Sequence, residues 1–328
     1  MAEANDSSVA ALAGWKPRRD PASTHVVVLM GGWSAEREVS LASGKAVAEA
    51  LRKSGYRVTE VDAKPHVMLA LAELGADVVF NALHGTWGED GKAQGVLETL
   101  GIPYTHSGVL ASALAMDKPR SKALFEKAGI PVAQHRLVTP DELMKQHPIK
   151  PPYVIKPLAE GSSVGVMVVR SENEPVPPKQ LREMPLRDGK VMVERFVPGR
   201  ELTCAVMGDV ALGVLEIMPL KGAFYDYESK YAEGGSEHIC PAELPDRVYR
   251  RIQQYAVRAH KTLGCRGVSR ADFRYDDRND EDGELVILEV NTQPGMTPTS
   301  LVPDIARAAG HSFEELVAWM VDDASVDR

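Results

Sequence analysis

The sequence predicts a mixed α/β and α+β protein, with an N-terminal parallel sheet followed by two smaller mixed segments. Three observations carry this. The run His25-Val-Val-Val-Leu-Met ends in Gly31-Gly32, the pattern of a buried parallel strand closed by a tight turn. Strand and helix patterns then alternate to about residue 81, as in an open sheet with both faces covered. Beyond Gly129-Ile-Pro131 the spacing changes to hairpin grammar, short apolar runs separated by glycine-rich turns.

The elements follow in order. A helix is expected from about 35 to 54, stopped by Gly55. A strand at 56–61, a helix at 67–74 and a strand at 77–81 complete the first pattern, and a helix at 117–128 precedes Gly129. Strands are expected at 153–157, 166–169, 191–196 and 201–207, with Gly161–Gly165 as a flexible turn. The stretch 172–189 is rich in proline and charge and is expected to be irregular. A strand at 210–218, an aromatic loop at 222–238 and a helix at 246–263, stopped by Gly264, come next. Strands at 268–274 and 285–290 and helices near 303–309 and 312–322 close the chain. The expected segments are therefore a mobile extension at 1–24, an α/β unit at 25–120, a central unit at 121–208 and a C-terminal unit at 209–328.

Bulk properties narrow the function classes. A chain of 328 residues with 44% hydrophobic residues can bury two or three cores. A formal net charge of −8 argues against a general nucleic-acid binder, which needs basic surface to neutralise phosphates. Cys204, Cys240 and Cys265 include no C-x-x-C pair and read as reduced, buried thiols. No apolar run is long enough to cross a bilayer, and residues 1–24 lack the apolar segment of a signal peptide. The cytoplasm is the expected address.

The polar pattern near the C-terminus is the most informative. On the strand ending at Asn291, alternation places Glu289 and Asn291 on one face, with Val286, Leu288 and Val290 on the other. On the preceding strand, Arg270 and Asp272 share a face. If the strands are neighbours, Asp272, Glu289 and Asn291 converge as hard oxygen donors, a set suited to Mg²⁺ with phosphate co-ligands. A solvated strand face carrying an Arg–Asp pair is the competing reading. The Gly161–Gly165 loop could cover a phosphate, with Lys156 as a point charge beside it, or be an ordinary hairpin turn. No Walker-type phosphate loop occurs, so any nucleotide needs another scaffold.

The motifs fall in a distinctive order. Gly31-Gly-x-Ser-Ala-Glu-Arg-Glu-Val-Ser40 is followed by His84-Gly-x-x-Gly-Glu-Asp-Gly91, Lys156-Pro and Glu160-Gly-Ser-Ser-Val-Gly165. Then come Tyr225-Asp-Tyr-Glu-x-Lys-Tyr231, Arg270-x-Asp272 and Glu289-x-Asn-Thr-x-Pro-Gly-Met296. In this order they resemble the D-alanine–D-alanine ligase family of the ATP-grasp superfamily, over about residues 25–322.

The resemblance implies a three-domain architecture gripping ATP between the central and C-terminal units. It implies that Lys118 and Lys156 contact ATP phosphates, that Ser162 is among the ATP-binding residues, and that Glu194, Phe196 and Val197 form the adenine hinge. Glu201 would bind the ribose hydroxyls, and Phe224 and Lys230 would lie near the nucleotide. Asp272, Glu289 and Asn291 would hold two Mg²⁺ ions, for which Mn²⁺ could substitute. Glu36 and His84 would hold the first D-alanine, and Ser300 with the Leu301 N–H the carboxylate of the second. Arg270 and the Gly295 N–H would stabilise an oxyanion. Ser162 and Tyr231 would join Glu36 in fastening mobile loops. The implied product serves peptidoglycan synthesis, and the implied assembly is a homodimer with neither nucleic acid nor membrane as partner. A D-alanine–D-lactate ligase is the nearest rival, against which Tyr231 speaks; a non-catalytic nucleotide binder would have lost Arg270 or a metal ligand.

Overall fold

The computed structural model describes residues 15–161, 165–219, 236–278 and 282–328. Strand β1 (His25–Gly31) is the centre of a parallel three-stranded sheet. Helix α1 (Arg37–Lys53) leads from it to β2 (Arg57–Ala63), and α2 (Val67–Glu73) to β3 (Val78–Asn81). The strands order β2-β1-β3, all parallel. The continuous apolar run of β1 is explained by burial on both faces. Val26, Val28 and Met30 pack with Val47 and Leu51 of α1, while Val27 and Leu29 pack with Val67 and Leu71 of α2. Three helices follow: α3 (Lys92–Leu100), α4 (Val109–Met116) and α5 (Lys118–Lys127). The side chain of Asp117 caps α5 by accepting from the Arg120 N–H at 3.1 Å.

The next unit contains β4 (His135–Val138), α6 (Pro140–Lys145), β5 (Tyr153–Lys156), β6 (Met167–Val169), α7 (Pro178–Glu183) and β7 (Val191–Arg195). Its antiparallel sheet has the order β4-β7-β5-β6 over a core that includes Leu143, Tyr153, Ile155, Leu181 and Val193. The 172–189 stretch is not wholly irregular. Proline at the first helical position starts α7, and buried Leu181 pins that short helix to the sheet.

The last unit contains β8 (Arg200–Met207), β9 (Val210–Pro219), β10 (Ser236–Ile239), α8 (Asp246–Leu263), β11 (Val268–Asp276), β12 (Glu284–Asn291), α9 (Leu301–Ala308) and α10 (Phe313–Asp323). The antiparallel sheet runs β10-β9-β8-β11-β12. The segment boundary expected at 208 falls between two strands of this sheet, because β8 pairs with both β9 and β11. Helix α8 covers one face through Val248, Ile252, Ala256 and Leu263. The opposite face shares its core with α1 and the N-terminal sheet, joining Ala205, Leu215, Val302, Ile305 and Val317 to Val28 and Val47.

Candidate active site

Strands β11 and β12 are hydrogen-bonded neighbours, with Arg270 opposite Asn291 and Asp272 opposite Glu289. The four side chains therefore meet on one patch. A bulge lies just beyond it: Phe273 pairs with Ile287, leaving Leu288 unmatched. This corrects the simple alternation expected for β12. Val290 joins the α8 core with Ile287, whereas Val286 packs with Ala133 and Val197, so the two valines do not share a face. One extra residue reverses the parity of everything before it.

The carboxylate of Asp272 accepts three side-chain hydrogen bonds. Arg270 donates to it through Nε at 2.8 Å and Nη2 at 2.7 Å, and Thr203 Oγ1 donates to Oδ1 at 2.7 Å. Lys118 Nζ lies 3.3 Å from Glu289 Oε2 and donates to the Glu160 carbonyl at 2.7 Å. Asn291 Oδ1 accepts the Gln293 backbone N–H at 2.8 Å, which orients the amide. Among the described residues no cluster of three His, Cys, Asp or Glu side chains stands together. A cation here would depend on two carboxylates, an amide and oxygens from a ligand, which is how Mg²⁺ is commonly held at phosphate sites.

At one end of this patch sits Glu36, buried at the start of α1. Its carboxylate makes no capping bond to the helix. It lies against the His84 loop and the residue 161 turn instead: a Cβ on Gly85 would come within 2.6 Å of Glu36 Oε2, and one on Gly161 within 3.2 Å. His84 is buried, with Nδ1 3.0 Å from Glu89 Oε1 and Nε2 3.2 Å from Ser43 Oγ. Ser43 Oγ also accepts the Met296 N–H at 3.2 Å, tying this loop to the turn that carries Gly295. A Cβ at Gly295 would lie 2.9 Å from Ser300 Oγ, so this turn and the Ser300 side chain approach closely. Ser300 heads α9 without capping it, and its Oγ accepts from the Thr297 N–H at 3.0 Å. As first-turn donors, the N–H groups of Leu301 and Val302 have no acceptor within the helix, and Pro303 has none to offer.

At the other end, Glu194 is buried between two lysines, Lys156 of β5 and Lys122 of α5. Burial alone would raise its carboxyl, but the two ammonium groups outweigh that and hold it down to about 2. Burial in turn depresses Lys122, opposed by the charge of Glu194. Lys122 was not foreseen from the sequence; the only available signal is its place four residues after Lys118, on the same helix face. Phe196 and Val197 follow β7 directly, and Glu201 lies on β8. Arg274, also unforeseen, donates to Glu201 Oε2 at 3.1 Å. Ser162, Phe224, Lys230 and Tyr231 lie outside the described residues.

The chain matches the family model for the D-ala D-ala ligase C-terminus over residues 124–322, and that for the D-ala D-ala ligase N-terminus over 70–107. It is 61% identical over 307 residues to D-alanine–D-alanine ligase B of Mesorhizobium japonicum, covering 93% of this chain and 99% of that one. Identity to D-alanine–D-alanine ligase B of Brucella melitensis is 60% over 305 residues, covering 93% and 96%. The chain belongs to the D-alanine–D-alanine ligase family.

A crystal structure of D-alanine–D-alanine ligase from Bacillus anthracis complexed with ATP matches with a TM-score of 0.75 at 32% identity, covering 92% of this chain and 96% of that one. This establishes the ligase-family, ATP-grasp fold anticipated from the motif order. Within that fold, Gln293 is a further residue that the motifs left unspecified. Its buried side chain accepts from Asn81 Nδ2 at 2.7 Å and donates to the Leu83 carbonyl, fastening the end of β3 to the second residue after β12.

Proposed function

We propose that this chain joins two D-alanine molecules into D-alanyl-D-alanine, with ATP converted to ADP and phosphate. The observation that carries the reading is the β11–β12 register, which sets Arg270 and Asp272 against Asn291 and Glu289 beside Lys118, in a chain of this family. The carboxylate of the first D-alanine attacks the γ-phosphoryl of ATP, giving an acylphosphate and ADP. The amine of the second attacks the acyl carbonyl, loses a proton, and phosphate leaves. Such transfers depend mainly on positioning and charge stabilisation.

The residues divide accordingly. Glu36 receives the ammonium of the first D-alanine, with His84 lining the same pocket. Ser300 and the Leu301 N–H receive the carboxylate of the second, at a helix start suited to anions. Arg270 and the Gly295 N–H face the developing oxyanion. Lys118 and Lys156 receive ATP phosphates, while Glu194, Phe196 and Val197 border the base and Glu201 the ribose. Asp272, Glu289 and Asn291 would hold Mg²⁺, or Mn²⁺ in its place; the hard oxygen donors next to a lysine-lined site fit it. The metal would supply charge neutralisation at the phosphates. Lys156 pairs with Glu194 and has further N–H donors for a phosphate, while Lys122 also pairs with Glu194. Ser162, Phe224, Lys230 and Tyr231 retain their proposed places around the nucleotide and closing loops.

Further parts of the reading are a homodimer, a cytoplasmic address and supply of the dipeptide for cell-wall precursors. No helix among the described residues is long and apolar enough to cross a membrane. The test is phosphate release with ATP and Mg²⁺ in the presence of D-alanine, L-alanine or D-alanine plus D-lactate, with product masses measured. D-alanyl-D-alanine should dominate. A dominant ester of D-lactate, or release independent of D-alanine, would overturn the reading.

A further inference from the structure

Arg274 lies on the same face of β11 as Arg270 and Asp272, four and two residues along the alternation. Its side chain is nearly buried, with 11% exposed. Three of its nitrogens find three different acceptors. Nε donates to the Val197 carbonyl at 3.0 Å, Nη2 to the Gly199 carbonyl at 2.9 Å, and Nη1 to Glu201 Oε2 at 3.1 Å. The guanidinium carbon also sits 5.6 Å from the centre of the Phe196 ring, within cation–π range.

These contacts share one location. Residues 196–199 carry the chain from β7 of the four-stranded sheet to β8 of the five-stranded sheet. Gly199 has φ +88°, and a Cβ there would come within 2.2 Å of the Tyr275 carbonyl. The crossing is therefore pressed against β11 by backbone fit as well as by Arg274. Glu201 and Arg274 are direct cross-strand partners in the β8–β11 register. Across this pair Arg274 donates to Oε2 and so directs the Glu201 carboxylate.

We infer that Arg274 is a positioning residue for the nucleotide: it fixes the 196–199 crossing and aims the Glu201 carboxylate, so that selection of the ribose depends on it. The inference rests on the ATP reading given above. A lysine could not do this, because a single ammonium point cannot reproduce a planar fork with three acceptors in three directions.

The test compares ATP, 2′-deoxy-ATP and 3′-deoxy-ATP on the full chain, for the wild type, Arg274→Met and Arg274→Gln. The wild type should prefer ATP to both analogues. In Arg274→Met the KM for ATP should rise about tenfold or more, the size of one charged hydrogen bond, and by more than kcat falls. The preference for ATP over the deoxy analogues should shrink toward one. If Arg274→Met does not fold, Arg274→Gln, which keeps a donor for one carbonyl, decides by the same ratio. A ratio equal to that of wild type overturns the inference, whether or not ATP binding weakens, since a merely structural role would weaken all three nucleotides alike. So does a wild type that uses ATP without preferring it. A wild type that binds no adenine nucleotide would instead overturn the ATP reading itself.

Discussion

Glu36 shows what single residues contribute, because its setting is made by what its neighbours lack. Gly85 has φ +71°, and a Cβ there would meet both Glu36 Oε2 and the Ser34 side chain. Gly85→Ala should therefore cost about 1–3 kcal/mol of stability through left-handed strain. It should also displace the carboxylate, raising the KM for D-alanine at the first site more than the KM for ATP. Equal KM values in variant and wild type, from initial rates at varied D-alanine, would remove Glu36 from that pocket. The metal assignment is tested on the facing strands. Asp272→Asn and Glu289→Gln should leave folded proteins with turnover reduced by about a hundredfold or more, as for loss of a major electrostatic contact. Rates measured across a Mg²⁺ series that match wild type would refute the ligand set. Residue types at this site were readable because alternation exposes shared faces. Arg274 obeyed the same alternation, yet an arginine near a strand end carries no mark of its own until Val197, Gly199 and Glu201 are seen around it.

Elements bounded by strong local signals were legible in the sequence. Helix α8 occupies the expected 246–263, between Pro245 and a left-handed Gly264 at φ +74°. The two site strands were found for the same reason. Helices α3, α4 and α6 and strands β4 and β10 stand where no element was expected. They are short: β4 has four residues with only Val138 buried, so packing against β7 fixes it more than its own pattern does. The bulge at Leu288 was equally invisible, since it exists only in relation to the partner strand.

Helix α5 shows an element joining units. Phe125 packs into the α8 core, while Lys122 reaches Glu194 on β7 of the other sheet. Replacing one member of a buried ion network leaves the others short of charge, so Lys122→Met should destabilise by roughly 3–5 kcal/mol. It should also raise the KM for ATP, because Lys156 is then the sole strong counter-ion of Glu194 among these two lysines. The double variant Lys122→Met/Glu194→Leu should recover part of the stability in urea denaturation. A double variant destabilised by the sum of the Lys122→Met and Glu194→Leu effects would show that the two charges are not coupled.

The whole molecule carries a pH dependence that no single site reveals. Burial holds His106 down to about 3 and His260 down to about 4, both well below the usual 6.5. His106 meets the ring of Phe80 edge-on and lies beneath Gly267, where the connection between α3 and α4 touches the entry to β11. His260, on α8, has Nδ1 2.7 Å from Ser269 Oγ on β11. Both histidines stay neutral in the fold and become charged only on unfolding. Their contribution is therefore fully present above about pH 6.5 and is lost as the pH falls toward the folded values. Glu194 acts lower: its stabilisation is complete above the ordinary carboxylate value and declines as pH falls toward about 2. Between pH 6 and 5 the two histidines dominate, and unfolding takes up close to two protons. Stability should fall by roughly 2–3 kcal/mol per pH unit in that window. His260→Gln, which cannot take up a proton there, should halve the slope of unfolding free energy against pH, measured by denaturant titration from pH 7 to 5. An unchanged slope would mean that His260 is already protonated in the folded protein, and that burial on α8 does not exclude the charge.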